Sequence, residues 1–222
     1  MIQSNQHQKS FNELFWEVIP LCENWIPGTQ LPAADGTETF SLFRQMIEAA
    51  GGLSLSQVCA LTGLEGSTIQ NWVKRDWVSK PVGKKYGERQ VARILIINAL
   101  RDSLQLEQIA GLLQYVNGSA ADQSDDIVAE GRLFNYFSSC IAALQVKDGV
   151  SREKVLETVR RVLSDYTGPH PQAKEQLANA LCVMVEAYLA ASIRREAESV
   201  SYTHLTLPTS KQRCRSRWSP YH

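Results

Sequence analysis

The chain has 222 residues, of which 44% are hydrophobic, with 23 basic and 23 acidic side chains. This length and composition suit one large or two small globular domains. We find no apolar run of the roughly 20 residues that a bilayer requires, and residues 1–10 are polar, which excludes a secretory signal. We therefore expect a cytoplasmic protein without membrane contact.

The first 52 residues are predicted to form a helical extension. Residues 11–22 place apolar side chains on one helical face, and Pro20 limits this helix. Residues 24–39 contain several Pro and Gly and predict a loop. Residues 40–50 predict a second helix, which Gly51 and Gly52 end.

Two short helices are predicted at the start of the segment 53–116. Ser54 and Gln57 have the spacing of a capping box, which marks the beginning of the first helix. Gly63 then predicts a turn, since glycine adopts a positive φ at little cost. The second helix covers residues 66–75. The side chains expected to be buried between the two helices are Val58, Leu61, Ile69 and Trp72.

A short β-hairpin and two further helices complete this segment. Residues 79–86 predict the hairpin, with its turn near Gly83. Residues 88–103 and 106–116 have helical apolar periodicity. The segment 53–116 therefore predicts helix, turn, helix, hairpin, helix and helix in that order.

The second half of the chain is predicted to be a separate helical domain. Residues 117–126 are polar and form the clearest linker. Helices are expected at 127–146, 151–165 and 172–198, the second of them capped by Ser151. Their apolar faces pack either within one chain or between two copies. The two stripes considered for a dimer interface are Phe134, Phe137 and Ile141, and Leu177, Leu181 and Tyr188.

Residues 199–222 change character abruptly after the last predicted helix. The string 199–209 resembles a translated sequencing-adapter sequence, so we expect 199–222 to be a non-native tail. Its four basic residues are therefore left out of the argument on charge.

The positive charge is concentrated in the middle of the chain. Residues 66–106 carry eight basic and three acidic side chains, whereas residues 1–65 carry two and seven. A basic segment in an otherwise acidic chain is typical of a site that contacts phosphate, although a solvated surface has the same composition.

The order of elements in 53–116 resembles a MerR-type winged helix-turn-helix. Residues 55–64 match the first helix and turn, residues 67–78 the recognition helix, and residues 86–94 and 104–113 the helices after the wing. This resemblance implies a mainly all-α fold with a short β-hairpin wing, followed by a C-terminal helical bundle.

The chain also resembles a bacterial family of domains of unknown function, DUF1836, which has a MerR-like motif. Residues 68–75 and 84–90 carry this resemblance. Since the family has no settled function, the resemblance supports the fold rather than an activity.

The polar residues of the helix and hairpin suit DNA. Gln and Asn side chains form bidentate hydrogen bonds with adenine, and Lys and Arg meet phosphates. The predicted DNA-binding residues are Ser67, Thr68, Gln70, Asn71, Lys74, Arg75, Lys80, Lys84, Lys85 and Arg89.

Two departures from the MerR pattern bear on function. Gln70, Asn71 and Trp72 stand where MerR-type helices present an Arg and two aromatic residues. The long dimerising helix with metal-binding cysteines is also absent. We therefore predict no particular operator sequence and no metal sensing.

The leading hypothesis is a transcriptional regulator that binds double-stranded DNA as a homodimer, with any effector bound by the C-terminal helices. The alternative is a protein-interaction or scaffold module that kept the winged fold without DNA binding, which the missing Arg favours. A continuous positive face would favour DNA, and an apolar groove would favour a protein partner. The five scattered cysteines show no metal-ligand spacing, and no nucleophile–base pattern is present. We therefore expect no enzyme activity, metal or cofactor.

Overall fold

The computed structural model describes residues 26–31, 39–118, 120, 125–144 and 151–205. Over these residues the protein is built from helices, and the described part of the chain contains no β-strand. The helix predicted at 11–22 lies outside the described residues.

Eight helices occur in the described residues. In chain order they are α1 (Thr39–Ala49), α2 (Leu55–Thr62), α3 (Gly66–Lys74), α4 (Glu88–Leu100), α5 (Leu106–Asn117), α6 (Glu130–Ala143), α7 (Arg152–Val162) and α8 (Ala173–Leu205). Each of these helices corresponds to a predicted helix, and most of their first and last residues lie within a few positions of the predicted ones. The main difference is α8, which continues to Leu205 rather than ending at Glu198. Residues 199–205 contain neither Pro nor Gly, so nothing in their backbone chemistry stops the helix.

Helix α4 lies at the centre of the fold. Val91, Ile94, Leu95 and Ile96 are all fully buried, so this helix is covered on every side. It packs against α1, α2, α5, α6 and α8. A helix that is apolar all round is stable only when other elements surround it, which explains the position of α4.

One continuous core unites the two predicted domains. Its buried side chains run from Ile26 to Leu189 and come from every helix. Phe134 of α6 meets Phe40 and Phe43 of α1, with ring centroids 5.8 and 6.4 Å apart. The segments before and after the predicted linker therefore share the same buried cluster.

The apolar stripes of α6 and α8 are buried within one chain. Phe134 and Phe137 are fully buried, and so are Leu177 and Leu181. Tyr188 is 9% exposed and packs edge-on against Phe137, with the ring centroids 5.7 Å apart. Both stripes therefore pack in the core of the single chain, and the homodimer stays a prediction.

Helix α8 is the longest of the described helices. Its segment Ala173–Ser199 is long and apolar enough to cross a membrane, contrary to the sequence-based expectation that no stretch is. Half of its most apolar window is buried inside the protein. The central helix of a bundle has the same composition, so this finding is weak evidence for a membrane span.

Candidate nucleic-acid interface

A capping box begins α2, and a glycine turn separates α2 from α3, as the sequence predicts. The Ser54 hydroxyl accepts a hydrogen bond from the Gln57 amide at 3.3 Å, and the Gln57 side chain accepts one from the Ser54 amide at 2.8 Å. This capping box begins α2. Gly63 ends it with φ 71°, and its amide donates to the Cys59 carbonyl at 2.8 Å. The predicted glycine turn between two helices is confirmed.

Replacing Gly63 by Ala should lower the free energy of unfolding by about 1–2 kcal/mol, because an L-residue is strained at this positive φ. Gly111→Ala is the matched control. It lies inside α5 with open space around its Cβ position, so the same change should stabilise by about 0.5–1 kcal/mol. Chemical denaturation measures both. A loss of stability in both variants, or in neither, would contradict the turn geometry.

Helix α3 has one buried and one exposed face. Ile69 and Trp72 are 0% and 1% exposed and anchor the helix in the core. The opposite face is polar and open to solvent, apart from a half-buried Thr68; it carries Ser67, Thr68, Gln70, Asn71 and Lys74. Five of the predicted site residues therefore lie together on one helix.

Arg75 lies at the exit of α3 and is engaged with its neighbours. Its guanidinium lies over the Trp77 ring, 5.1 Å from the centroid, and 3.4 Å from the Glu107 carboxylate. This ion pair is well exposed, so its contribution to stability is small. The stacked position nevertheless turns the Arg75 charge towards α5.

The predicted hairpin is a tight turn rather than a stranded wing. Val82 and Lys85 exchange both backbone hydrogen bonds, at 3.0 and 2.9 Å. Gly83 and Lys84 between them have φ of 56° and 63°. Positive φ at both central residues is typical of the two-residue hairpin turn. Outside the turn, a single bridge joins Tyr86 to Leu53 among the residues that the structure describes, so within them the segment does not extend into strands.

The two lysines of the turn point in different directions. Lys84 is exposed, as predicted, whereas Lys85 is half-buried and its ammonium donates to the Gly52 carbonyl at 3.2 Å. Lys85, which is among the predicted DNA-binding residues, therefore ties the turn to the segment that follows α1. Lys80, just before the turn, is exposed.

Arg89 is paired inside the fold. Its guanidinium lies 3.2 Å from the Asp126 carboxylate, and the two side chains are 14% and 13% exposed. This pair joins the start of α4 to the segment before α6. Arg89 therefore contributes to packing between helices, in a place where the sequence suggested a free cation.

Asp126 makes stability depend on pH. Burial raises the pKa of its carboxyl from 3.8 to about 6, against the opposing effect of Arg89. The folded state thus binds a proton more tightly than the unfolded state, so the free energy of unfolding falls as the pH rises from about 4 to about 6. Asp126→Asn should reduce this fall, and Glu157→Gln, on the exposed face of α7, should not. Denaturation curves across this pH range test it. An unchanged slope in Asp126→Asn would show that other groups cause it.

A shallow groove lies beside the exposed face of α3. It opens between the starts of α2 and α3 and the turn, and it is lined partly by Leu55, Cys59 and Leu64, with Glu65 and Lys84 at its sides. Burial raises the pKa of the Cys59 thiol, with a smaller contribution from Glu65, so this thiol is less reactive than an ordinary one. The region therefore offers both a polar helix face and an apolar groove.

One residue of the region was missed in the sequence analysis. Arg93 of α4 is 3% exposed, and its guanidinium contacts Glu130 at 2.5 Å and the Trp77 carbonyl at 2.7 Å. The sequence signal that could have identified Arg93 is a charged side chain among the apolar residues of α4. A buried arginine needs such partners, because an unpaired buried charge is costly.

Comparisons with known proteins find a family model that matches this region. Residues 44–137 match the model described as "Domain of unknown function (DUF1836)". The uncharacterized protein YkrK of Bacillus subtilis (strain 168) is 34% identical over 96 residues, which are 41% of this chain and 40% of that protein. The chain thus spans less than half of the curated relative it matches. No solved structure matches it. The family match contains the whole candidate interface and continues across the predicted linker into α6.

Proposed function

We propose that this protein is a transcriptional regulator that binds duplex DNA through α2, α3 and the turn at 82–85, in the manner of a MerR-like winged helix-turn-helix. The observation that carries the proposal is the division of α3 into two faces. Ile69 and Trp72 anchor the helix, while Gln70 and Asn71 are exposed. A recognition helix needs this arrangement to enter the major groove.

Each exposed group has a part in the proposed contact. Gln70 and Asn71 carry amides that match the donor and acceptor pair of adenine. Ser67 and Thr68 lie in the first turn of α3, where their hydroxyls suit a phosphate. The exposed ammonium groups of the surface are Lys74, Lys80 and Lys84. They provide positioning without sequence information.

Three predicted contacts have a smaller part in this proposal. Arg75 is stacked on Trp77, Lys85 is bonded to Gly52, and Arg89 is paired with Asp126. These interactions compete with phosphate binding. The proposed surface therefore depends mainly on the lysines, with the turn at 82–85 acting as a minimal wing.

The proposal includes a homodimer, because one small module makes few base contacts and two-fold sites are the common solution. Any effector would bind the C-terminal helices α6, α7 and α8. Binding to the chromosome would place the protein in the cytoplasm.

Selection of bound sequences from random duplex DNA tests the proposal. We expect an enriched site, two chains per site by light scattering, and binding that weakens steeply with salt. Absence of salt-dependent duplex binding at low ionic strength would refute the regulator function.

The groove beside α3 favours a second candidate function, a protein-interaction module. It is lined partly by Leu55, Cys59 and Leu64, and Glu65 adds a negative charge at the start of α3 that DNA would not favour. A pull-down that compares the wild type with Leu55→Gln would detect such a partner. Loss of a specific protein in the variant, together with no DNA binding by the wild type, would establish this candidate over the first.

A further inference from the structure

The exit of α3 is attached to the C-terminal helices through one side chain. The Arg93 Nε–H donates to the Trp77 carbonyl at 2.7 Å, while its Nη1 donates to the Glu130 carboxylate at 2.5 Å. Trp77 lies three residues after the end of α3, and Glu130 is the first residue of α6. One guanidinium therefore joins three elements: the end of α3, the centre of α4 and the start of α6.

The ion pair between Arg93 and Glu130 is buried. The side chains of Arg93 and Glu130 are 4% and 1% exposed. Among the residues that the structure describes, the second carboxylate oxygen of Glu130 is buried without a hydrogen-bond partner. Glu130 therefore depends on Arg93, and the pair has no freedom to exchange partners with water.

The neighbouring contacts continue from α4 to the turn. The Gln90 side chain donates to the Lys80 carbonyl at 3.3 Å. Val78, between these two anchored carbonyls, is fully buried. The backbone from Trp77 to Lys80 is thus held by α4 side chains at two points, before the chain reaches the turn at 82–85.

We infer that Arg93 is the positioning residue of the α3 surface, and that it makes the placement of α3 and the turn depend on the start of α6. One consequence is that a change in the C-terminal helices alters DNA binding through Arg93. This consequence rests on the proposed function. Arg is suited to this part because its planar fork has several donors in fixed directions, whereas Lys has a single nitrogen.

Two variants separate positioning from folding. Arg93→Lys keeps the charge next to Glu130 but cannot reach both partners. Arg93→Met with Glu130→Met removes both charges, and replacing a buried ion pair by apolar residues of similar volume is often tolerated. Arg132→Gln is the control, since Arg132 also lies on α6 but pairs with Asp165 at an exposed position.

Hydrogen exchange is the readout that does not depend on DNA. In the variants that fold, the amides of Val78, Val82 and Lys85, all of which are hydrogen-bonded, should exchange about two- to tenfold faster, as for the loss of one hydrogen bond. The control should leave them unchanged. Unchanged exchange in both folded variants would overturn the inference, as would equal acceleration in the control.

DNA binding is the second readout. The variants should lose affinity for the selected site by a larger factor than for random duplex, because a displaced α3 loses base contacts before phosphate contacts. Wild-type affinity in both variants would overturn the inference. If the wild type itself binds no DNA while exchange still responds, the proposed function fails and the positioning part of Arg93 stands.

Discussion

Replacing Phe134 by Ala should lower the free energy of unfolding by about 3–5 kcal/mol, as for other buried Phe side chains. Phe134 is fully buried in α6 and contacts Phe40 and Phe43 of α1. The lost ring would leave a cavity between segments that the sequence analysis assigned to different domains. Thermal and chemical denaturation should show one transition, shifted as a whole, because a shared core unfolds cooperatively.

Tyr115→Ala is the matched control for this prediction. Its ring is 50% exposed, so the same kind of truncation should change stability by no more than about 0.5 kcal/mol. Two separated transitions, with only the C-terminal one moved by Phe134→Ala, would show that the halves fold independently. That result would support the predicted division into two domains at residues 117–126.

Asn71→Ala should weaken binding to the selected site by about 1–3 kcal/mol and change binding to random duplex little. Asn71 is exposed on α3, and its amide can read a base edge. The slope of log affinity against log salt should stay nearly constant, because no charge is removed. Fluorescence anisotropy on both DNAs over a series of salt concentrations measures all three quantities.

Lys80→Gln with Lys84→Asn should have the opposite signature. Affinity should fall about equally on both DNAs, and each lost phosphate contact should reduce the salt slope by roughly 0.9. Asn is chosen at position 84 because it tolerates the positive φ found there. Arg160→Gln with Arg161→Gln, both exposed on α7, is the charge-matched control and should change neither. Equal effects of all the variants would mean that binding is non-specific.

The local elements of this protein were readable from its sequence. The Ser54 and Gln57 capping box, the positive φ of Gly63 and the buried pair of Ile69 and Trp72 all occur as predicted. These features depend on backbone conformation and on periodicity within a few residues, so they can be predicted from residues that are close in sequence. The exposed face of α3 can be predicted in the same way, because it consists of the residues opposite the buried face.

Tertiary structure decided what the apolar stripes and the charges contact. Periodicity shows that Phe137 and Leu181 face something apolar, but the same pattern fits a core or a dimer interface, and the fold assigns both to the core. The charge of Arg89 likewise predicts a phosphate contact, but the fold pairs its guanidinium with Asp126, which is distant in sequence. Arg93 acquires its two partners in the same way. Sequence reports which groups need a partner, whereas only packing between distant segments determines which partner each of them finds.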